Sequence, residues 1–238
     1  MKRLMLCLHI ISALLQALFF PLVPIKWRRC LVKIWAIYLL KILRIKVFIH
    51  GDLAYLMNHH SFLLVSNHIS WLDIHVLNAI RPVTFVAKAD VSSWPIFGYL
   101  AQIIGTIFIK RERLSDIKKV IQAIKKEIKS LGVVAIFPEG TSSDGQQILP
   151  FKSNLFQSAV DAKCDVLPVR LMYEERGRYT DKVAFIGYMT LIDSINNVLS
   201  SNSIDVIVDI RQPLAAHADR YDLCARAYES MIDGAIVR

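Results

Sequence analysis

The sequence predicts an α/β domain with a mixed, mostly parallel sheet flanked by helices, preceded by a pair of N-terminal helices. Three observations predict it. Beyond residue 50, apolar runs of strand length alternate with helix-length amphipathic stretches, as they do where crossover helices cover a sheet. Polar residues capable of chemistry cluster directly after the apolar runs, at the strand ends where α/β folds gather ligands. The first fifty residues differ in kind, holding nine of the 29 Lys and Arg and none of the 20 Asp and Glu. The chain therefore divides into N-terminal helices, 1–48, and an α/β domain, 49–238. Its 238 residues, 54% of them apolar, hold one full core with an appendage. A mean hydropathy of +0.41 excludes a disordered chain.

Taken in order, residues 4–23 form an uncharged stretch of bilayer-spanning length. Lys2 and Arg3 ahead of it resemble the start of a signal peptide, but the run is long for one and no A-x-A-like site closes it. In residues 26–44, Lys26, Arg29, Lys33, Lys41 and Arg44 recur at helical spacing, with Leu31, Ile34, Trp35, Tyr38, Leu39, Ile42 and Leu43 on the rest of the surface. Such a helix suits the interface of an anionic membrane surface; the alternative is a helix docked on the protein's own sheet. Basic residues embedded in an apolar segment argue against nucleic acid as the partner. Strands are expected at 62–66, 83–87, 106–110, 133–137, 166–173, 182–187 and 204–210, and helices at 71–80, 114–131, 154–162 and 220–237. Cys7, Cys30, Cys164 and Cys224 lie far apart without a C-x-x-C, so a reducing compartment is expected.

Three loops carry candidate chemistry. After the first apolar run comes Asn67-His68-Ile69-Ser70-Trp71-Leu72-Asp73. His68 is a general-base candidate, and Asp73 can steer it if the chain bends between them, since residues five apart do not face each other on a continuous helix. Ser70-x-x-Asp73 equally fits a helix capping box, in which Asp73 serves only backbone N–H groups. His59, His60, His68, Asp73 and His75 invite a metal reading, but their spacing matches no ligand pattern, and no metal is expected. A second apolar run ends in Lys110-Arg111, where a guanidinium can fork onto a phosphate or carboxylate, or simply be solvated. A third run delivers Phe137-Pro138-Glu139-Gly140-Thr141-Ser142-Ser143-Asp144-Gly145, in which Glu139 and Thr141 can bond a polar head group, although Ser-Ser-Asp-Gly is also ordinary turn chemistry. Val166-Leu167-Pro168-Val169 reads as a buried structural strand. The absence of G-x-S-x-G, G-x-x-x-x-G-K-[ST] and G-x-G-x-x-G removes support for serine hydrolases, P-loop nucleotide hydrolysis and dinucleotide redox work.

In order, these pieces resemble the glycerolipid acyltransferases typified by lysophosphatidic acid acyltransferase, over roughly residues 50–215. The family pattern of N-H-x-x-x-x-D, G-x-x-F-I-x-R, F-P-E-G-T and V-x-P-V is matched by Asn67-His68 to Asp73, Gly105 to Arg111, Phe137 to Thr141 and Val166 to Val169. The resemblance implies a glycerol-phosphate acyltransferase-like fold with membrane-attaching N-terminal helices, at the cytoplasmic face of the inner (plasma) membrane. It implies that His68 is the base oriented by Asp73, and that Arg111, Glu139, Gly140 and Thr141 hold the acceptor's head group with Lys88 nearby. The acceptor it implies is a lysolipid, and the acyl donor is acyl-CoA or acyl carrier protein, with no further cofactor. Many phosphatidic-acid-forming members place Arg directly after F-P-E-G-T, where this chain has Ser142. That departure leaves lyso-ornithine lipid or another lysophospholipid as alternatives to 1-acyl-glycerol-3-phosphate. A non-catalytic lipid-binding protein and a metal-dependent hydrolase remain the readings from other classes.

Overall fold

The computed structural model describes residues 1–94, 96–110, 114–216 and 219–233. Two long helices, α1 (Lys2–Phe19) and α2 (Ile25–Leu43), open the chain, joined by a single tight turn at Phe20–Leu22. Arg44, in the left-handed conformation at φ 59°, ends α2 and turns the chain into β1 (Ile45–Gly51). There follow α3 (Leu53–Asn58), β2 (Phe62–Ser66), α4 (Leu72–Ile80), β3 (Thr84–Lys88), α5 (Phe97–Ile103) and β4 (Ile107–Ile109). The second half runs α6 (Leu114–Lys129), β5 (Val133–Ile136), α7 (Gln157–Ala162), β6 (Val166–Glu175), β7 (Arg178–Tyr179), α8 (Leu191–Ser200), β8 (Ile204–Ile210) and α9 (Arg220–Ile232).

The strands form one sheet in the order β1-β8-β6-β2-β5-β3-β4, with β7 folded back on the end of β6. Neighbours along that path are parallel except β6 and β8. The mixed, mostly parallel sheet is thus as expected, and β2, buried at every position, lies near its centre. Helices cover both faces, which is why the central strands read as continuous apolar runs. On one face α2, α4 and α8 pack over Leu64, Leu171 and Val208; on the other, α6, α7 and α9 pack over Leu63, Val134 and Val166. The α6 stripe of Val120, Ile121, Ile124 and Ile128 recurs at helical spacing and is buried throughout.

Several expectations change. Residues 182–187 are not a strand: they form a crossing segment, buried only at Val183 and Ala184, whose Phe185 N–H donates to the Ile69 carbonyl at 2.9 Å. Val183 and Ala184 are buried there, so the segment has strand-like hydrophobicity, but neighbouring loops satisfy its backbone in place of a ladder. An unexpected strand, β1, pairs with β8 from Ile45↔Ile204 to Gly51↔Ile210, so the sheet begins inside the segment 1–48. The helices α3, α5 and α8 also lack a counterpart in the sequence reading. Residues 234–237, expected to continue α9, lie outside the described residues.

The N-terminal pair mixes the two readings of its second helix. The α2 residues Ala36, Leu39, Leu40 and Leu43 are buried, so this half docks on the domain, while Trp27, Ile34 and Tyr38 stay exposed. α1 buries only Leu6 and Ala17 and exposes Leu4, Met5, Leu8, Ile11, Leu15, Leu18 and Phe19. It is held to α2 by His9, which stacks on Trp35 at 4.4 Å and accepts on its carbonyl from Trp35 Nε1–H at 3.1 Å. By length and composition, Lys2–Leu22 is sufficient to cross a membrane.

Candidate active site

β2 delivers the first loop at its carboxyl end. Where the backbone leaves the sheet, the Asn67 side chain continues the ladder: its Nδ2 donates to the Leu171 carbonyl at 2.9 Å and its Oδ1 accepts from Leu171 N–H at 2.7 Å. The next residue, His68, is fixed at both backbone groups by the Phe137–Gly145 loop. Its N–H donates to Glu139 Oε1 at 2.6 Å, and its carbonyl accepts from Ser143 N–H at 2.9 Å. The imidazole lies on the Phe137 ring, centroids 4.1 Å apart.

The bend over residues 69–71 brings Asp73, in the first turn of α4, back to His68. His68 Nδ1 and Asp73 Oδ2 are 2.8 Å apart, with the carboxylate side chain fully buried and the imidazole 23% exposed. The same Oδ2 accepts from Ile69 N–H at 2.7 Å and Ser70 N–H at 2.9 Å. Asp73 therefore satisfies backbone donors and faces the histidine at the same time. The capping box is not formed, because Asp73 N–H bonds the Ser70 carbonyl at 3.1 Å and the buried Ser70 hydroxyl makes no bond among the described residues. Asp73 Oδ1 accepts from the Tyr173 hydroxyl at 2.8 Å. Since Oδ2 already accepts from two backbone N–H groups, the proton between it and His68 belongs to Nδ1, and Nε2 is the ring nitrogen turned away from the carboxylate. That nitrogen is the one available to a substrate hydroxyl.

Glu139 is buried, and its second oxygen accepts from Leu149 N–H at 2.9 Å. Burial raises its pKa, against the lowering effect of the His68 and Leu149 N–H groups. With both oxygens bonded to backbone, Glu139 acts visibly as a clamp between His68 and its own loop. Gly140 turns that loop at φ 76°, its N–H donating to the Phe137 carbonyl at 3.1 Å. Thr141 is exposed beside it. Lys88, exposed at the end of β3, reaches the same edge of the sheet and pairs with Asp90. Arg111 lies outside the described residues. The structure thus joins His68, Asp73, Glu139 and Gly140 into one site, with Thr141 exposed on the same loop, and leaves Lys88 at the end of β3 with Asp90.

Tyr173 was missed by sequence reasoning, as was Phe185. A tyrosine inside an apolar strand is a usable signal, because a buried hydroxyl needs a partner. No such signal marks Phe185, whose carbonyl accepts from the Ser142 hydroxyl and ties the third loop to the first. The other histidines of the metal reading are occupied elsewhere. His59 stacks on Tyr55, His60 bonds Arg81, and His75 lies against Trp35 and Trp71, where burial, with a smaller effect of His9, pushes its pKa down to about 4. Among the described residues, no three His, Cys, Asp or Glu side chains converge as metal ligands.

A buried carboxylate held against a partly exposed imidazole at the end of a central strand is an arrangement that can do general-base chemistry on a hydroxyl. The chain belongs to the Acyltransferase family, whose model matches residues 46–172, and it is an acyltransferase. It is 36% identical over 172 residues to the 1-acyl-sn-glycerol-3-phosphate acyltransferase of Neisseria meningitidis serogroup B, covering 71% of this chain and 67% of that protein. It is 33% identical over 214 residues to the lyso-ornithine lipid O-acyltransferase of Rhizobium meliloti, covering 84% and 72%. The fold matches the crystal structure of the 1-acyl-sn-glycerophosphate (LPA) acyltransferase PlsC from Thermotoga maritima, with a TM-score of 0.68 over 97% of this chain and 95% of that one at 19% identity.

Proposed function

We propose that the protein moves a fatty acyl chain from a thioester donor to the free hydroxyl of a lysolipid during phospholipid biosynthesis. The donor is acyl-CoA or acyl carrier protein, and the leading acceptor is 1-acyl-glycerol-3-phosphate. His68 Nε2 takes the proton of the acceptor hydroxyl as its oxygen attacks the thioester carbonyl. Collapse of the tetrahedral adduct breaks the carbon–sulfur bond, and the imidazolium returns the proton to the departing thiolate. Asp73 holds the ring and stabilises the imidazolium. The observation that carries this reading is the 2.8 Å contact between Nδ1 and a carboxylate that three further donors hold in place. No covalent enzyme intermediate and no cofactor are required. As the family resemblance implies, Arg111, Glu139, Gly140 and Thr141 hold the acceptor's head group, with Lys88 as an electropositive neighbour.

One observation favours a second acceptor class. Ser142, directly after F-P-E-G-T, turns its hydroxyl inward onto Phe185 and presents no cation to a phosphomonoester. This supports lyso-ornithine lipid or another lysolipid as the alternative. The exposed apolar stripe of α1, with the basic residues of α2, supports attachment to an anionic membrane at its cytoplasmic face. The test is thiol release from acyl-CoA and from acyl carrier protein across a lysolipid panel, with wild type and His68→Ala. Alanine keeps the backbone bonds to Glu139 and Ser143, so the variant folds, and turnover should fall about 10²- to 10⁴-fold. Near wild-type turnover in that variant defeats the assignment. An absence of thiol release from the wild type with every acceptor returns the non-catalytic lipid-binding reading.

A further inference from the structure

The edge of the sheet that carries His68 also carries a second concavity. β6 continues past the site: Leu171 bonds Asn67, Tyr173 bonds Asp73, and two residues later Glu175 opens the hairpin into β7. Between this hairpin and the connection from α8 to β8 lies a cleft of ≈ 550 Å³ lined by Glu175, Arg176, Arg178, Lys182, Ser200 and Asn202. Lys182 Nζ pairs with Glu175 Oε2 at 2.7 Å, and that bond holds the Glu175 carboxyl below its usual range. The pair cancels, which leaves Arg176 and Arg178 as the net charge of the lining. Glu174 and Asp205, opposite each other in the adjacent ladder, are not part of it. Two guanidiniums beside the Asn202 amide form a donor set suited to a phosphate ester, while the Ser200 hydroxyl donates to the Asn197 carbonyl at 2.6 Å.

The neighbourhood of the cleft narrows the source of that phosphate. Ser201 lies between the lining residues Ser200 and Asn202, and its carbonyl accepts from Lys2 Nζ at 2.7 Å. Arg3 reaches Asn196 of α8 at 3.5 Å. Leu4, the next residue, begins the exposed apolar stripe that continues through Leu8, Ile11, Leu15 and Leu18. The cleft therefore adjoins the cationic end of an apolar surface, the order of groups met on passing from lipid head groups to acyl chains.

We propose that this cleft is a phosphate subsite for the head group of an anionic membrane phospholipid, distinct from the acyl-transfer centre. The inference rests on the membrane attachment proposed above. A head group held there seats the His68 edge against the bilayer, where the lysolipid hydroxyl arrives. Each cation near an anionic leaflet contributes about 1 kcal/mol, so Arg176 and Arg178 together contribute roughly 30-fold in partitioning.

The test compares the full chain with the Arg176→Ala/Arg178→Ala double variant on vesicles of phosphatidylcholine alone and of phosphatidylcholine mixed with phosphatidylglycerol. Wild type should bind the mixed vesicles more tightly, and the double variant should lose about 30-fold of that increment while matching wild type on neutral vesicles. Arg178→Lys, which keeps the charge, should retain most of the increment. The KM for acyl-CoA with a monodisperse short-chain acceptor should not change. An anionic increment that survives in the double variant overturns the proposal. A raised KM for acyl-CoA with unchanged vesicle binding also overturns it, and reassigns the cleft to the donor's phosphates. If wild type binds neither vesicle, the attachment reading itself falls and takes this inference with it.

Discussion

Asp73→Asn separates charge from orientation at His68. In the native site, one carboxylate oxygen faces three donors, Ile69 N–H, Ser70 N–H and His68 Nδ1–H, and the other faces the Tyr173 hydroxyl. An asparagine has one oxygen and one NH₂ to place. The three-donor side demands the oxygen, and the NH₂ can donate to the Tyr173 hydroxyl oxygen, which accepts as well as donates. The ring then keeps its Nδ1–H tautomer and its position and loses only the facing charge. A hydrogen bond to a charged group is worth about 1.5–3 kcal/mol, so kcat/KM should fall roughly 10- to 150-fold at about 1.36 kcal/mol per decade. A flipped amide would force the other tautomer and a loss near the ~10⁴-fold seen when the serine-protease triad aspartate becomes asparagine. Asp73→Ala behaves differently, because it orphans two buried N–H groups and a buried hydroxyl. At about 1–3 kcal/mol each, that is roughly 3–9 kcal/mol, against a total stability of about 5–15 kcal/mol. The assay is thiol release as a function of acceptor concentration, with urea unfolding of both variants alongside. An Asn variant that loses under about threefold, or about 10⁴-fold, refutes the reasoning, as does an Ala variant as stable as wild type.

Three further outcomes are expected. Glu139 has a raised native pKa, so the native state binds the extra proton and stability falls as pH rises from the ordinary carboxylate value through the raised one. Glu139→Gln should abolish that slope and, by setting an NH₂ against the His68 or Leu149 N–H, cost about 1–3 kcal/mol at neutral pH; urea melts across a pH series measure both. His75 shifts the opposite way, from 6.5 to about 4: the unfolded chain binds more protons in that window, so stability is lost as pH falls from 6.5 towards 4, by roughly 3 kcal/mol at about 1.36 kcal/mol per unit. His75→Phe should flatten that stretch of the profile; an unchanged profile assigns the acid sensitivity elsewhere. Leu8→Glu/Leu15→Glu, on the exposed stripe of α1, should leave unfolding unchanged and reduce vesicle binding more than tenfold, since each inserted leucine contributes about 1.5–3 kcal/mol; vesicle co-sedimentation decides it.

The amino-acid sequence by itself determined the α/β class, the strands of the central sheet, the run of loops at one sheet edge and the His68 and Glu139 positions. These are local properties: a strand buried on both faces must be apolar along its length, and a polar residue directly after it stands at the strand's end. Tertiary structure decided everything that depends on distant donors. Whether Asp73 caps a helix or steers a base cannot be settled by a spacing of five, because the answer lies in a bend whose N–H groups converge on one oxygen and in Tyr173, a hundred residues away. Glu139 reads in sequence as a ligand for a head group, and only the fold shows that its oxygens also accept from the backbone of His68 and Leu149. Residues 182–187 have strand-like hydrophobicity because Val183 and Ala184 are buried, but loops rather than a ladder satisfy their hydrogen bonds. Burial is written residue by residue along the chain, whereas the pairing of polar groups is chosen only when remote segments meet.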